Sequence, residues 1–163
     1  MECSFTHKYE KNSLDIKSQL EIQLLNDKKE KLKCIEECDS AYTVSVINRE
    51  NFAELFRKID RNAIFLGIKI GSIYVGYVAF YANDVINYNA YITLICVAKK
   101  FQRYHLGSML MEECIRVSRK AGMKQIRLEV LKRDAHAIAF YKAFGFYIME
   151  EDTLQSYYMC KLL

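Results

Sequence analysis

The centre of the chain contains a predicted strand, a long helix and a second strand, and this order constrains the fold more than any other feature. Residues 86–97 are predicted to form a strand that is apolar on both faces towards its end, which is typical of the middle of a sheet. An amphipathic helix follows, with an apolar stripe that begins at Leu106 and a terminating Gly122. Residues 126–131 form the next predicted strand. The two strands of such a unit are expected to be parallel, with a right-handed crossover.

Shorter elements surround this unit. The alternation of apolar residues predicts further strands, two of them joined by a tight turn at Gly71-Ser72. These strands are 20–25, 64–70, 73–81, 146–149 and 157–162. Two helices capped by Asn26 and Asn48 are predicted near the start, and a short helix is predicted after Asp134. The expected fold class is therefore α/β (α+β mixed sheet), with a central mixed β-sheet flanked by helices.

Length, charge and cysteine usage limit the class of protein. The 163 residues suit one domain at 19–163, after a polar segment at 1–18 that we expect to be loose. A net charge of +4 is too small to indicate nucleic acid as a partner. No window has the apolar length of a signal peptide or a membrane helix, so we expect a cytoplasmic protein without a membrane partner. The six cysteines are scattered and lack neighbouring histidines, which predicts reduced thiols and no metal site.

The loop between the central strand and the long helix is the first candidate site. Residues 97–108, VAKKFQRYHLGS, end at a helix N-terminus, where unpaired N–H groups and the helix dipole attract anions. Positive side chains are supplied by Lys99, Lys100, Arg103 and His105. The loop lacks the glycines and the Lys-Ser/Thr pair of a P-loop. Taken alone, the segment is equally compatible with an ordinary strand–helix connection.

Two segments in this half of the chain resemble the signatures of a known family. Residues 102–107, QRYHLG, resemble the Q/R-x-x-G-x-G/A pyrophosphate loop of the GNAT (general N-acetyltransferase) superfamily. Downstream, LEV at 128–130 and the segment 134–146 resemble its second signature, LxV…NxxAxxxYxxxGF. The two blocks come in the expected order and context. His105 replaces the middle glycine of the loop, and Asp134 replaces the usual asparagine.

The resemblance implies a GNAT-like acyl-CoA N-acyltransferase fold with a site for acetyl-CoA. It implies that the backbone N–H of Val97 binds the acetyl carbonyl and that Tyr141, as general acid, protonates the leaving thiolate. The residues that it implies at the cofactor are Ile95, Cys96, Val97, Gln102, Arg103, Tyr104, His105, Leu106, Gly107, Ser108, Asp134, Ala137, Phe140 and Tyr141. No base is assigned, because Tyr91 stands where some relatives keep a glutamate; Glu129 is an alternative.

The expected function is transfer of acetyl from acetyl-CoA to a primary amine of a small-molecule acceptor, by direct attack of the amine. Two alternatives stay open: a catalytically inactive acyl-CoA-binding or regulatory domain, and transfer of a different acyl group. The acceptor pocket is expected between the early helices and the turn at Asn83-Asp84. A homodimer is compatible with the resemblance, and no metal is expected.

Overall fold

The computed structural model describes residues 19–42 and 44–163, so the polar segment 1–18 lies outside the described residues. The strands are β1 Leu20–Leu24, β2 Ile64–Ile70, β3 Ile73–Tyr81, β4 Asn89–Val97, β5 Gln125–Leu131, β6 Tyr147–Asp152 and β7 Ser156–Leu162. The helices are α1 Lys28–Cys38, α2 Phe52–Asn62, α3 Leu106–Lys120 and α4 Ala135–Ala143, with 3-10 turns at Asp39–Ala41 and Lys99–Phe101. Within these ranges, no helix is long and apolar enough to cross a membrane.

The strands form one seven-stranded mixed sheet, as predicted, in the order β1-β2-β3-β4-β5-β7-β6. Neighbouring strands are antiparallel except β4 and β5, which are parallel and are joined through α3. This confirms the predicted strand–helix–strand unit. The β4–β5 ladder runs only from Asn89–Gln125 to Ile92–Leu128, after which the two strands separate.

A β-bulge in β4 lies at this point of separation. Ala79 of β3 pairs with Leu94, but the next residue, Phe80, pairs with Ile92, so Thr93 is an extra residue. In a regular strand, residues two apart share a face. The bulge breaks this rule, and Ile92 and Leu94 lie in different core clusters on opposite faces of the sheet.

Each face of the sheet is packed against its own helices. On one face, Leu106, Leu110 and Met111 of α3 are fully buried against alternate strand residues. On the other, Cys34 and Ile35 of α1 are fully buried, together with apolar side chains of α2. The apolar stripes of the helices therefore fix which side of the sheet each helix covers.

The predicted ends of two helices are confirmed by their hydrogen bonds. The carboxylate of Asp134 accepts a hydrogen bond from the N–H of Ala137 at 2.9 Å and caps α4. Gly122 follows α3 with a φ of +80°, and its N–H donates to the carbonyl of Arg119 at 2.9 Å. Glycine adopts this left-handed conformation without the steric cost of a Cβ.

The predicted caps of the first two helices are wrong by a few residues. Asp27, not Asn26, caps α1, and its carboxylate accepts the N–H of Glu30 at 2.9 Å. Asn51, not Asn48, precedes α2, and its side chain makes no capping bond. Both errors arise because neighbouring polar residues are equivalent candidates until the buried face of the helix fixes its first turn.

The predicted start of the central strand is also wrong. The strand begins at Asn89, because the Asp84 carboxylate accepts the N–H groups of Ile86 and Asn87, at 3.1 and 2.9 Å, and holds the preceding residues in a turn. Ile86 is 83% exposed, so its apolar side chain does not continue the buried strand.

Packing of α3 on the sheet gives a test of the fold. Leu110 is fully buried, and we expect Leu110→Ala to lower the free energy of unfolding by about 2–5 kcal/mol, through lost burial and a residual cavity. Leu154 is 98% exposed, and Leu154→Ala should change the free energy of unfolding by less than about 0.5 kcal/mol. Urea unfolding of both variants measures the difference; equal stabilities would contradict this packing.

Candidate active site

A cleft of about 950 Å³ opens where β4 and β5 separate. Its walls are the ends of these two strands, the segment before and into α3, α4, and the segment between α1 and α2. The volume is within the range of about 300–1,000 Å³ that is typical of small-molecule sites. Separated strands also leave main-chain groups without a neighbouring strand, so the cleft offers backbone donors and acceptors.

The backbone of Val97 directs its polar groups into this gap. In an antiparallel ladder, alternate residues bond to the partner strand and the residues between them face the other way. The N–H of Ala98 donates to the Val75 carbonyl on β3 at 2.8 Å, so the N–H and C=O of Val97 face the side of β5. The side-chain amide of Gln102 donates to the Val97 carbonyl at 3.1 Å. The Val97 N–H is thus directed to the cleft.

The N-terminus of α3 borders the same cleft. The helix begins at Leu106, and the N–H of Met109 donates to the carbonyl of His105 at 3.1 Å. The N–H groups before Met109 belong to the first turn, which has no acceptors within the helix. Arg103 and His105 are exposed and line the cleft beside this turn. The arrangement is compatible with the predicted site for a phosphate-sized anion.

The phenol of Tyr141 lies on the α4 wall of the cleft. Its ring is buried between Phe140 and Phe146, with centroid distances of 5.5 and 5.8 Å. Burial, and then the negative charge of Asp134, raise the pKa of Tyr141 well above its usual value. No described residue makes a hydrogen bond to the phenol, so the neutral O–H remains available to a ligand in the cleft.

All but two of the residues implied at the cofactor line the cleft. The exceptions are Leu106, which is fully buried in the core below α3, and Tyr104, which packs against Phe101 with a centroid distance of 6.4 Å. The side-chain amide of Gln102 lines the cleft but already donates a hydrogen bond to the Val97 carbonyl. For these residues, the structure favours a packing or supporting role of the side chain. Within the described ranges, no group of three or more His, Cys, Asp and Glu side chains is arranged to hold a metal ion.

The cleft also contains side chains that the sequence analysis missed. The segment between α1 and α2 contributes Tyr42 and Arg49, and α2 contributes Leu55. These elements lie on the side where the acceptor is expected. The Tyr42 hydroxyl lies 3.0 Å from that of the fully buried Tyr77, and burial raises the pKa of both phenols. No motif surrounds these residues in the sequence, so no local signal could have identified them. The turn at Asn83-Asp84, where the acceptor pocket was also expected, does not line the cleft.

Comparison with known proteins agrees with this fold. The sequence model of the Acetyltransferase (GNAT) family matches residues 31–146, which is more than half of the chain. The chain belongs to this family. No curated protein matches the GNAT chain significantly by sequence.

Solved structures of GNAT proteins share the fold. PaiA N-acetyltransferase of Thermoplasma acidophilum, in complex with coenzyme A, superposes with a TM-score of 0.75 at 20% identity, over 88% of this chain and 99% of that chain. Ard1 of Thermoplasma volcanium superposes with a TM-score of 0.71 at 23% identity, over 89% of this chain and 98% of that chain. The ribosomal-protein-S18-alanine N-acetyltransferase of Escherichia coli superposes with a TM-score of 0.72 at 18% identity, over 88% of this chain and 93% of that chain.

The GNAT loop has an unusual backbone conformation at His105. Its φ of 60° and ψ of 19° are left-handed, a conformation that glycine adopts readily and that costs other residues about 1–2 kcal/mol. His105 stands where the loop that it resembles has glycine, so a residue with a side chain bears the strain of this conformation. The exposed imidazole lines the cleft rather than entering the core.

Two substitutions at His105 separate backbone strain from side-chain contacts. We expect His105→Gly to be more stable than His105→Ala by about 1 kcal/mol, because both remove the imidazole but only glycine relieves the left-handed strain. The free energy of unfolding from urea titration measures this difference. Alanine at or above the stability of glycine would show that residue 105 is not strained.

Proposed function

We propose that this protein transfers an acetyl group from acetyl-CoA to the primary amine of a small molecule, by direct attack of the amine on the thioester. One observation carries the proposal: a single cleft contains the Val97 N–H, the Tyr141 phenol and the N-terminus of α3. These are an oxyanion donor, a proton donor and an anion site. Membership of the GNAT family and the fold shared with a coenzyme A complex support the same assignment.

The chain's own groups fit the parts of coenzyme A. The first turn of α3 suits the diphosphate, with Arg103 and His105 beside it. The pantetheine arm contains amides, which need main-chain hydrogen-bond partners. Ile95 and Val97 lie on either side of Cys96 in β4, and both direct their N–H and C=O groups away from β3, so the free side of β4 offers such partners. The arm would therefore extend β4 where β5 has moved away. This orientation directs the thiol end towards Tyr141.

Three groups of the chain would act during transfer. The Val97 N–H donates to the thioester oxygen as negative charge builds on it. The Tyr141 O–H gives its proton to the leaving thiolate, and the raised pKa keeps the phenol protonated for this purpose. On the opposite wall, the exposed carboxylate of Glu129 lines the cleft and is the group that we assign to accept the proton of the attacking amine.

Binding of coenzyme A is the first test. We expect coenzyme A and acetyl-CoA to bind the loop at residues 102–108, and binding at 100 times Kd should add about 2.7 kcal/mol to the free energy of unfolding. Calorimetry and thermal melting with each compound measure this. A reversed charge at Arg103, as in Arg103→Glu, should weaken the affinity, whereas Arg119→Glu at the other end of α3 should not. Absence of binding at millimolar coenzyme A would refute the proposal.

Catalysis by the phenol is the second test. We expect Tyr141→Phe to lower kcat at least tenfold with little change in acetyl-CoA affinity or melting temperature, because general acid catalysis contributes about 10²–10⁴-fold while phenylalanine keeps the packing. Thiol release from acetyl-CoA with a reactive amine measures turnover. Tyr157→Phe on β7, outside the cleft, is the matched control. Unchanged kcat in a folded Tyr141→Phe protein would leave this tyrosine a packing role only.

A further inference from the structure

The cleft passes through the sheet and has a different wall on each face. The first turn of α3 and Tyr141 of α4 belong to the face covered by those two helices. Tyr42 and Leu55 pack with the core on the opposite face. If coenzyme A enters beside α3, the acceptor enters from the face of α1 and α2. We call the part of the cleft on that face, lined by Tyr42, Arg49, Asn51, Leu55, Tyr91 and Glu129, the acceptor half.

Glu129 belongs to the acceptor half because of the alternation along β5. Its neighbours Leu128 and Val130 are buried in the core on the α3 face, so Glu129 projects from the opposite face, where it is exposed. Tyr91 of β4 is close to it: burial, and then the Glu129 carboxylate, raise the pKa of Tyr91 to about 12. Glu129 thus contributes a negative charge to the wall that an acceptor would meet.

Arg49 contributes a positive charge to the same half. It lies in the segment between α1 and α2 and lines the cleft with an exposed side chain. Arg127 is on the same face of β5 as Glu129 but does not line the cleft. Among the described residues that line the acceptor half, Arg49 is therefore the cation.

The two opposite charges do not neutralise each other. Neither Arg49 nor Glu129 forms an ion pair with any described residue, although six such pairs occur elsewhere in the described part of the chain. Arg49 lies in the segment between α1 and α2 and Glu129 lies on β5, so the two groups belong to different walls of the cleft. A ligand with a cationic and an anionic end can pair with both at once.

We infer that the acceptor is an amine that also carries an acidic group, with its ammonium at Glu129 and its carboxylate or phosphate at Arg49. The inference rests on the proposed function and specifies its substrate class. One proton of the ammonium passes to Glu129, and the nitrogen lone pair forms the C–N bond as the C–S bond breaks. The thiolate takes the proton of Tyr141, and the second proton lost by the nitrogen, as the neutral amide forms, returns the tyrosinate to the phenol. The guanidinium of Arg49 offers a planar pair of donors that matches a carboxylate or phosphate.

Matched acceptors test this inference. The carboxylate probes are glycine, β-alanine, 4-aminobutanoate and 6-aminohexanoate, each compared with its own amide; 2-aminoethyl phosphate is compared with ethanolamine. We expect the best acidic probe to exceed its neutral counterpart at least tenfold in kcat/KM, chiefly through KM. Arg49→Gln should remove this preference, and Arg49→Glu should reverse it in favour of 1,4-diaminobutane. Arg57→Glu, an exposed change on α2 outside the cleft, is the control and should keep the wild-type order.

The outcomes separate the inference from the proposed function. Turnover that does not distinguish acidic from neutral probes, or a preference unchanged in Arg49→Glu, overturns the inference and leaves acetyl transfer intact. Weaker coenzyme A binding in Arg49→Glu, measured by calorimetry, would assign Arg49 to the cofactor and would also overturn it. Failure of every probe in wild-type protein that binds acetyl-CoA would overturn both the inference and the proposed transfer.

Discussion

The separation of β4 from β5 is the constraint on which the rest of the molecule depends. Unpaired main-chain groups in the middle of a sheet cost about 1–3 kcal/mol each when they are buried, so parallel strands normally stay together. Here the ladder between β4 and β5 ends at Ile92–Leu128, next to the bulge at Thr93, and the Gln102 amide donates to the Val97 carbonyl. The Val97 carbonyl therefore has a partner within the chain, and the Val97 N–H is left for a ligand. The aromatic side chains of α4 then form one wall of the opening.

A gap inside a sheet differs from a surface pocket because the gap is open to both faces of the sheet. The helix covering one face supplies a dipole and unpaired N–H groups, which suit a polyanion. The other face carries the opposite charges of Glu129 and Arg49. Two reactants with different charge can thus approach one backbone N–H from opposite sides. The proposed direct transfer requires both substrates to occupy the site together, and a gap that is open to both faces allows this.

Sequence reasoning succeeded where structure is set by neighbouring residues or by strong periodicity. Asp134 and Gly122 act through hydrogen bonds within a few residues, and the strand–helix–strand unit follows from its apolar patterns. It failed where the choice depends on the rest of the fold: Asp27 could not be told from Asn26 before the helix packed. Tyr42 and Arg49 reach the cleft only through the packing of distant segments, which no local pattern records. The bulge at Thr93 was equally invisible, since its neighbours are apolar on both faces.

The strain at His105 shows how the anion site is held in shape. Immediately after it, Leu106 is fully buried, and burial of a leucine side chain stabilises the fold by about 1.5–3 kcal/mol. This is at least similar in size to the cost of about 1–2 kcal/mol for a left-handed residue, so the packing of α3 can offset the cost of this conformation at His105. The N–H groups of the first turn consequently face the cleft before any ligand arrives. Binding then requires little ordering of the loop, and pre-organisation of this kind increases affinity by reducing the entropy lost on association.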